Sequence, residues 1–85
     1  MAKVLTVQRL IVPLAERAKY VERARRRRAF YAERDCRFWV VTEMDLPGAF
    51  IEFTEGPNAK ALKQAHLESS EPPLDVNRIY VELEF

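Results

Sequence analysis

Two short apolar runs flank Asp45-Leu46-Pro47-Gly48, and a helical spacing follows Gly56-Pro57-Asn58, so Arg37 to Ser70 reads as strand, tight turn, strand and helix. Phe38 to Met44 and Ala49 to Thr54 form the hairpin, and the parity of its loop decides which side chains share a face. An even loop, whether Pro47-Gly48 or Asp45 to Gly48, places Phe38, Val40, Thr42, Ala49, Ile51 and Phe53 together. Trp39, Val41, Glu43, Phe50, Glu52 and Thr54 then share the other side. The first set is the more apolar and is expected to meet the helices. The second mixes rings with carboxylates and is expected to line a cleft or an interface.

The flanking segments complete the order. Val4 to Val12 is rich in aliphatic residues and reads as a strand buried on both faces, with Pro13 opening the first turn of a helix. From Leu14 to about Arg34 there is no glycine or proline and much Ala, Glu and Arg, the composition of one long helix. Leu14, Ala18, Val21, Ala24 and Tyr31 form its apolar stripe, although at 100° per residue Arg25 and Arg28 fall within that stripe and Phe30 points nearly opposite. Asn58 is the expected N-cap of a second helix running to about Ser69, with Leu62, Ala65 and either His66 or Leu67 on its apolar side. Glu71-Pro72-Pro73 stops that helix, and Arg78 to Phe85 alternates as a last strand, with Ile79, Val81, Leu83 and Phe85 inward. The order β-α-β-β-α-β is the split βαβ plan, predicting an α+β, ferredoxin-like fold: an antiparallel sheet with two helices on one face.

Composition changes this picture in three places. Eighty-five residues at 48% hydrophobic content make one domain over residues 1–85 with a thin core, and a homodimer is the expected source of further burial. Cys36 is the only cysteine, which excludes an intrachain disulfide and a multi-cysteine metal site and suits a reducing cytoplasm. No apolar run approaches the roughly 20 residues needed to cross a bilayer, and the start, MAKVLTVQRLIVPL, reads as a first strand rather than a leader. The formal net charge of +1 averages over an arginine cluster, Arg23 and Arg25 to Arg28, and later acids such as Glu71, Asp75, Glu82 and Glu84. The cluster is expected to be mostly solvated, with some pairing to Glu22 or to a neighbour's acidic face.

The run Trp39 to Glu43, the turn Asp45-Leu46-Pro47-Gly48, the strand Phe50 to Glu55 and the helix end Ala61-Leu62-Lys63-Gln64-Ala65-His66-Leu67-Glu68-Ser69 carry a further likeness. Together they resemble the dimeric α+β barrel superfamily, in particular its antibiotic-biosynthesis-monooxygenase-like members. The resemblance implies two protomers laying their sheets face to face into a barrel, with a ligand pocket between the open sheet face and a helix. It also implies a range of activities, from cofactor-independent oxygenases acting on aromatic polyketides and quinols to haem degraders. Where haem degraders carry asparagine before Arg-Leu this chain has Gln8 before Arg9-Leu10, and where they carry tryptophan before leucine it has His66 before Leu67, which argues against haem degradation.

The candidate site residues follow from chemistry. His66 is the only histidine and titrates near neutrality, so it is a candidate general base alongside Glu43 and Tyr80, although a lone histidine at a helix end more often packs or hydrogen-bonds. Trp39, Phe50 and Glu52 are the candidate ligand-binding residues, weighed against an interface role for the tryptophan. No cofactor is expected, and the glutamates lack the spacing or second histidine of a metal site. The expected function is binding of a small, flat, largely apolar molecule of aromatic or quinoid type, with a cofactor-independent, monooxygenase-like reaction if chemistry occurs. Non-catalytic alternatives are a structural or interaction dimer and a nucleic-acid-binding module, since the element order is also that of the RNA recognition motif. Leu5 where that motif needs a stacking ring, and glutamates on the open face, count against nucleic acid.

Overall fold

The computed structural model describes residues 3–85; Met1 and Ala2, read above as part of the first strand, lie outside them. Strand β1 (Val4–Ile11) leads through a short 3-10 turn, Leu14–Glu16, into helix α1 (Arg17–Ala32). Strands β2 (Arg37–Thr42) and β3 (Ala49–Gly56) form the hairpin, and helix α2 (Ala59–Glu68) precedes a short β4 (Tyr80–Val81). The sheet is antiparallel in the order β2-β3-β1-β4, and the two helices cover one of its faces, which is the expected ferredoxin-like α+β arrangement.

The hairpin reverses the expected sharing of faces. Thr42 pairs with Phe50 and Val40 with Glu52, so residues of equal parity on the two strands are opposite each other. The loop is odd: the Glu43 amide donates to the Ala49 carbonyl at 3.0 Å, leaving residues 44–48 between them. Phe50, Glu52 and Thr54 therefore join Phe38 and Val40 beneath the helices, while Ile51 and Phe53 join Trp39 and Val41 on the open face. A one-residue change of register moves a whole strand's side chains across the sheet.

Helix α1 is also turned relative to the expected stripe. Tyr20 and Tyr31 are its buried residues, and with Ala24 and Arg27 they form a narrow seam at i, i+4, i+7 and i+11. Leu14 and Val21 are exposed instead, and Phe30 packs edge-on against Tyr31 beneath the Arg34 guanidinium. The helix ends where the Cys36 amide reaches back to the Tyr31 carbonyl at 3.0 Å, a closure that places Asp35 in the left-handed region at φ 59°. In α2 the cap is the expected one, with the Asn58 side chain accepting from the Ala61 amide at 2.8 Å, and His66 rather than Leu67 turns inward with Leu62 and Ala65.

Two strands differ from their sequence reading. Strand β1 is not buried on both faces: Val7, Arg9 and Ile11 are exposed on the side away from the helices. Among the described residues strand β4 pairs Tyr80 with Leu5 and Val81 with Val4, and Leu83 and Phe85 lie exposed beyond it. An alternating pattern marks strand propensity, but a ladder also needs the chain to run alongside its partner, and Arg78 and Ile79 do not pair with β1 although it continues to Ile11.

Gly48 anchors the hairpin to the end of β1. Its carbonyl accepts from the Val12 amide at 2.7 Å and its φ is 92°. A Cβ built there would lie 2.7 Å from the Val12 carbonyl oxygen, which is backbone and cannot swing away. Gly48→Ala is expected to destabilise the fold by roughly 2 kcal/mol, whereas Asp35→Gly relieves a left-handed residue and is expected to stabilise it by about 0.5–1 kcal/mol. Urea midpoints at constant m-value check both signs.

Candidate ligand-binding groove

Between the sheet and α1 lies a buried carboxylate. Glu52 on β3 is 3% exposed and accepts three hydrogen bonds, from the Tyr20 hydroxyl at 2.6 Å, Arg27 at 2.8 Å and the Gln8 amide at 3.3 Å. Removing one partner of such a buried ion pair costs about 3–5 kcal/mol, because the other charge is left without compensation. Burial, and next the bond to Glu52, push the Tyr20 phenol well above its usual range, so it acts as a donor and not as an acid. Arg27 also lies over the Phe38 ring at 4.5 Å, which spreads its charge onto an aromatic face.

A second polar group sits under α2. His66 is wholly buried, with Nδ1 2.7 Å from the Tyr31 hydroxyl and Nε2 2.7 Å from Thr6 Oγ1. A neutral imidazole has one donor and one acceptor nitrogen, and hydroxyls serve either role, so the trio satisfies itself without water. Burial, then the positive Arg27, lower the His66 pKa to about 4. Burial likewise raises the Tyr31 phenol and the Cys36 thiol, so Cys36 is not held as a reactive thiolate.

The main cavity lies elsewhere, between α1 and the free edge of the sheet at β2. It is an open groove of about 500 Å³, within the usual range for small-molecule pockets. Its floor is the buried surface of Tyr20, Phe38, Val40 and Phe50, and Tyr20 and Phe50 stack with ring centroids 5.0 Å apart and planes 7° from parallel. Arg17, Arg25 and Arg28 stand exposed at its rim, and Trp39 lines it from the edge strand. A hollow of about 280 Å³ flanks the same edge, between Arg28, Cys36 and Trp39.

The candidate residues thus separate. His66, Phe50 and Glu52 lie under the helices, whereas Trp39, Glu43 and Tyr80 lie on the open face, where Trp39 stacks on Phe53 at 5.1 Å and Glu43 meets Arg9 at 3.4 Å. Of the six, Trp39 and Phe50 alone line the groove. His66 is sealed by Tyr31 and Thr6, and Glu52 is occupied by Tyr20 and Arg27, so neither is presented to a ligand. Sequence reasoning missed Tyr20 and Arg27, whose i, i+7 spacing with Tyr31 at i+11 was the available signal; it was hidden because an arginine was counted as a surface residue.

With this geometry in view, no protein-family model, no curated protein and no solved structure matches the chain. Among the described residues no group of His, Cys, Asp and Glu could hold a metal ion, and no helix is long and apolar enough to cross a membrane.

The His66 environment has a measurable consequence. A histidine of about 6.5 in the unfolded chain and about 4 when folded binds its proton more readily unfolded. Its stabilising contribution is complete above about pH 6.5 and is lost as pH falls toward 4. The stability gap between the parent protein and His66→Gln is therefore expected to shrink by roughly 3 kcal/mol across that window. Denaturant titrations of both proteins from pH 7.5 to 4 measure it; a gap independent of pH would refute a neutral, desolvated imidazole.

Proposed function

We propose that this protein binds a small, flat, largely apolar molecule in the groove between α1 and β2, as a homodimer of the dimeric α+β barrel kind. The observation that carries the binding reading is the groove itself, with its stacked Tyr20–Phe50 floor and the single tryptophan at its edge. A flat apolar molecule there meets ring edges and aliphatic side chains, and displacing water from such a surface favours binding. The dimer reading draws on the open sheet face, where Val7, Ile11 and Val41 are exposed beside the Trp39–Phe53 stack. A contiguous apolar sheet face is ordinarily covered, and a second copy of the same face is self-complementary about a two-fold axis.

The reading favours binding over oxygenase chemistry. Abstracting a proton from a phenol needs a base within hydrogen-bond reach of it. The groove lining holds no carboxylate or imidazole, and its one phenol is committed to Glu52.

Sedimentation is expected to give a dimer at micromolar concentration, converted to a folded monomer by Val7→Glu with Ile11→Glu; a monomeric parent protein would remove the barrel part. For the groove, 2-naphthamide is expected to quench Trp39 fluorescence saturably. Val21→Phe, which narrows the groove from the exposed side of α1, is expected to weaken that binding several-fold, and binding insensitive to it would place the ligand elsewhere.

A further inference from the structure

The arginines of α1 divide by what they meet. On one side of the seam, Arg27 pairs with Glu52 at 2.8 Å, Arg34 with Glu68 at 2.9 Å and Arg23 with Glu71 at 3.6 Å. On the other side, about 60° to 140° around the helix from Tyr20, stand Arg17, Arg28 and Arg25. Among the described residues Arg17 and Arg28 form no ion pair, and Arg25 has only a loose contact of 3.9 Å with the exposed Glu22. These three are the ones that rim the groove, and no acidic side chain lines it. The groove therefore joins an aromatic floor to two guanidiniums without a protein counter-charge, Arg17 and Arg28, and a third, Arg25, that only the exposed Glu22 touches.

We propose that the groove selects an aromatic carboxylate: the flat ring lies on the floor and its carboxylate is held by Arg17, Arg25 and Arg28. This inference rests on the groove being a small-molecule site and adds the charge of the ligand. A guanidinium presents paired donors that match a carboxylate's two oxygens, and the apolar floor beside it strengthens the contact by excluding water. Arg17 shows how such an arrangement is made, since its guanidinium already lies 5.6 Å over the Phe50 ring. A polynucleotide fits less well, because it needs cations along an extended track. Beyond the groove Arg34 and Arg23 are taken by Glu68 and Glu71, Arg37 lies over the Trp39 ring at 4.3 Å as the one cation that continues the row along β2, and the open face carries Glu43 and Glu55.

The test compares 2-naphthoate with its neutral isostere 2-naphthamide by Trp39 fluorescence, in the parent protein and in Arg17→Gln/Arg25→Gln/Arg28→Gln. These side chains are exposed, so the variant is expected to fold, which circular dichroism checks. Naphthoate is expected to bind roughly tenfold or more tightly than the amide, to weaken with salt, and to fall to the amide's affinity in the triple variant. Because the three arginines also border the amide's site, the readout is the ratio of the two affinities: it is expected to fall to about one in the triple variant and to keep its parent value in Arg26→Gln, which removes a charge outside the groove. Equal binding of acid and amide by the parent protein would overturn the charge selectivity and leave the groove reading standing. Failure of both probes to bind would overturn the two together. Arginine-dependent quenching by oligothymidylate, without binding of naphthoate, would overturn the carboxylate in favour of single-stranded nucleic acid.

Discussion

The carboxylate of Glu52 fixes how the first helix meets the sheet. Once the hairpin register turns this side chain inward, it needs donors, and the buried face of α1 supplies Tyr20 and Arg27 two turns apart. That requirement outweighs the apolar content of the helix, whose Leu14 and Val21 are left in solvent. The rotation then determines everything on the rest of the helix surface. Arginines on one flank come within reach of acids from α2 and the following connector, and those on the other flank are carried to the edge of the sheet, where no acid of another element meets them. A single register choice in the hairpin thus sets the charge pattern of a groove formed by another element.

What could be seen in the sequence followed from local chemistry. The order of elements, the Asn58 cap and the inward side of α2 each depend on residues within one turn of each other, and they are found as expected. What could not be seen depended on relations across the chain. Loop parity in the hairpin hinges on a five-residue turn closed by the Glu43 and Ala49 backbones, where Pro47-Gly48 invites a two-residue reading. The seam of α1 includes an arginine because a partner 25 residues away neutralises it. The pairing of β4 with the start of β1 is likewise a relation across the chain, which no alternation within Arg78 to Phe85 encodes.

The same relations explain why the site candidates divide between faces. Trp39 and Phe50 were grouped by an even hairpin loop, and in the folded chain they point to opposite sides of the sheet. They still border one cavity, because β2 is an edge strand and the groove opens around that edge. His66 and Glu52 show the complementary case: a residue chosen for its chemistry is consumed by structure. Each makes a close bond to a tyrosine of α1, Glu52 joining that helix to the sheet and His66 joining the two helices to each other and, through Thr6, to β1.

The groove itself is a consequence of side-chain size. Helix α1 rests on the sheet through Tyr20 near one end and Tyr31 near the other, and both rings are almost fully buried. Between them the seam carries Ala24, which is too small to fill the distance that two tyrosines impose. Protein interiors are close-packed, and a gap beside a small residue is normally closed by a neighbour shifting inward. Here that collapse is opposed from both ends, by the Tyr20–Glu52 bond, which ties α1 to β3, and by the Tyr31–His66–Thr6 chain, which ties α1 through α2 to β1. The polar networks that withdraw Glu52 and His66 from chemistry therefore hold α1 off the sheet on either side of Ala24, beside the groove.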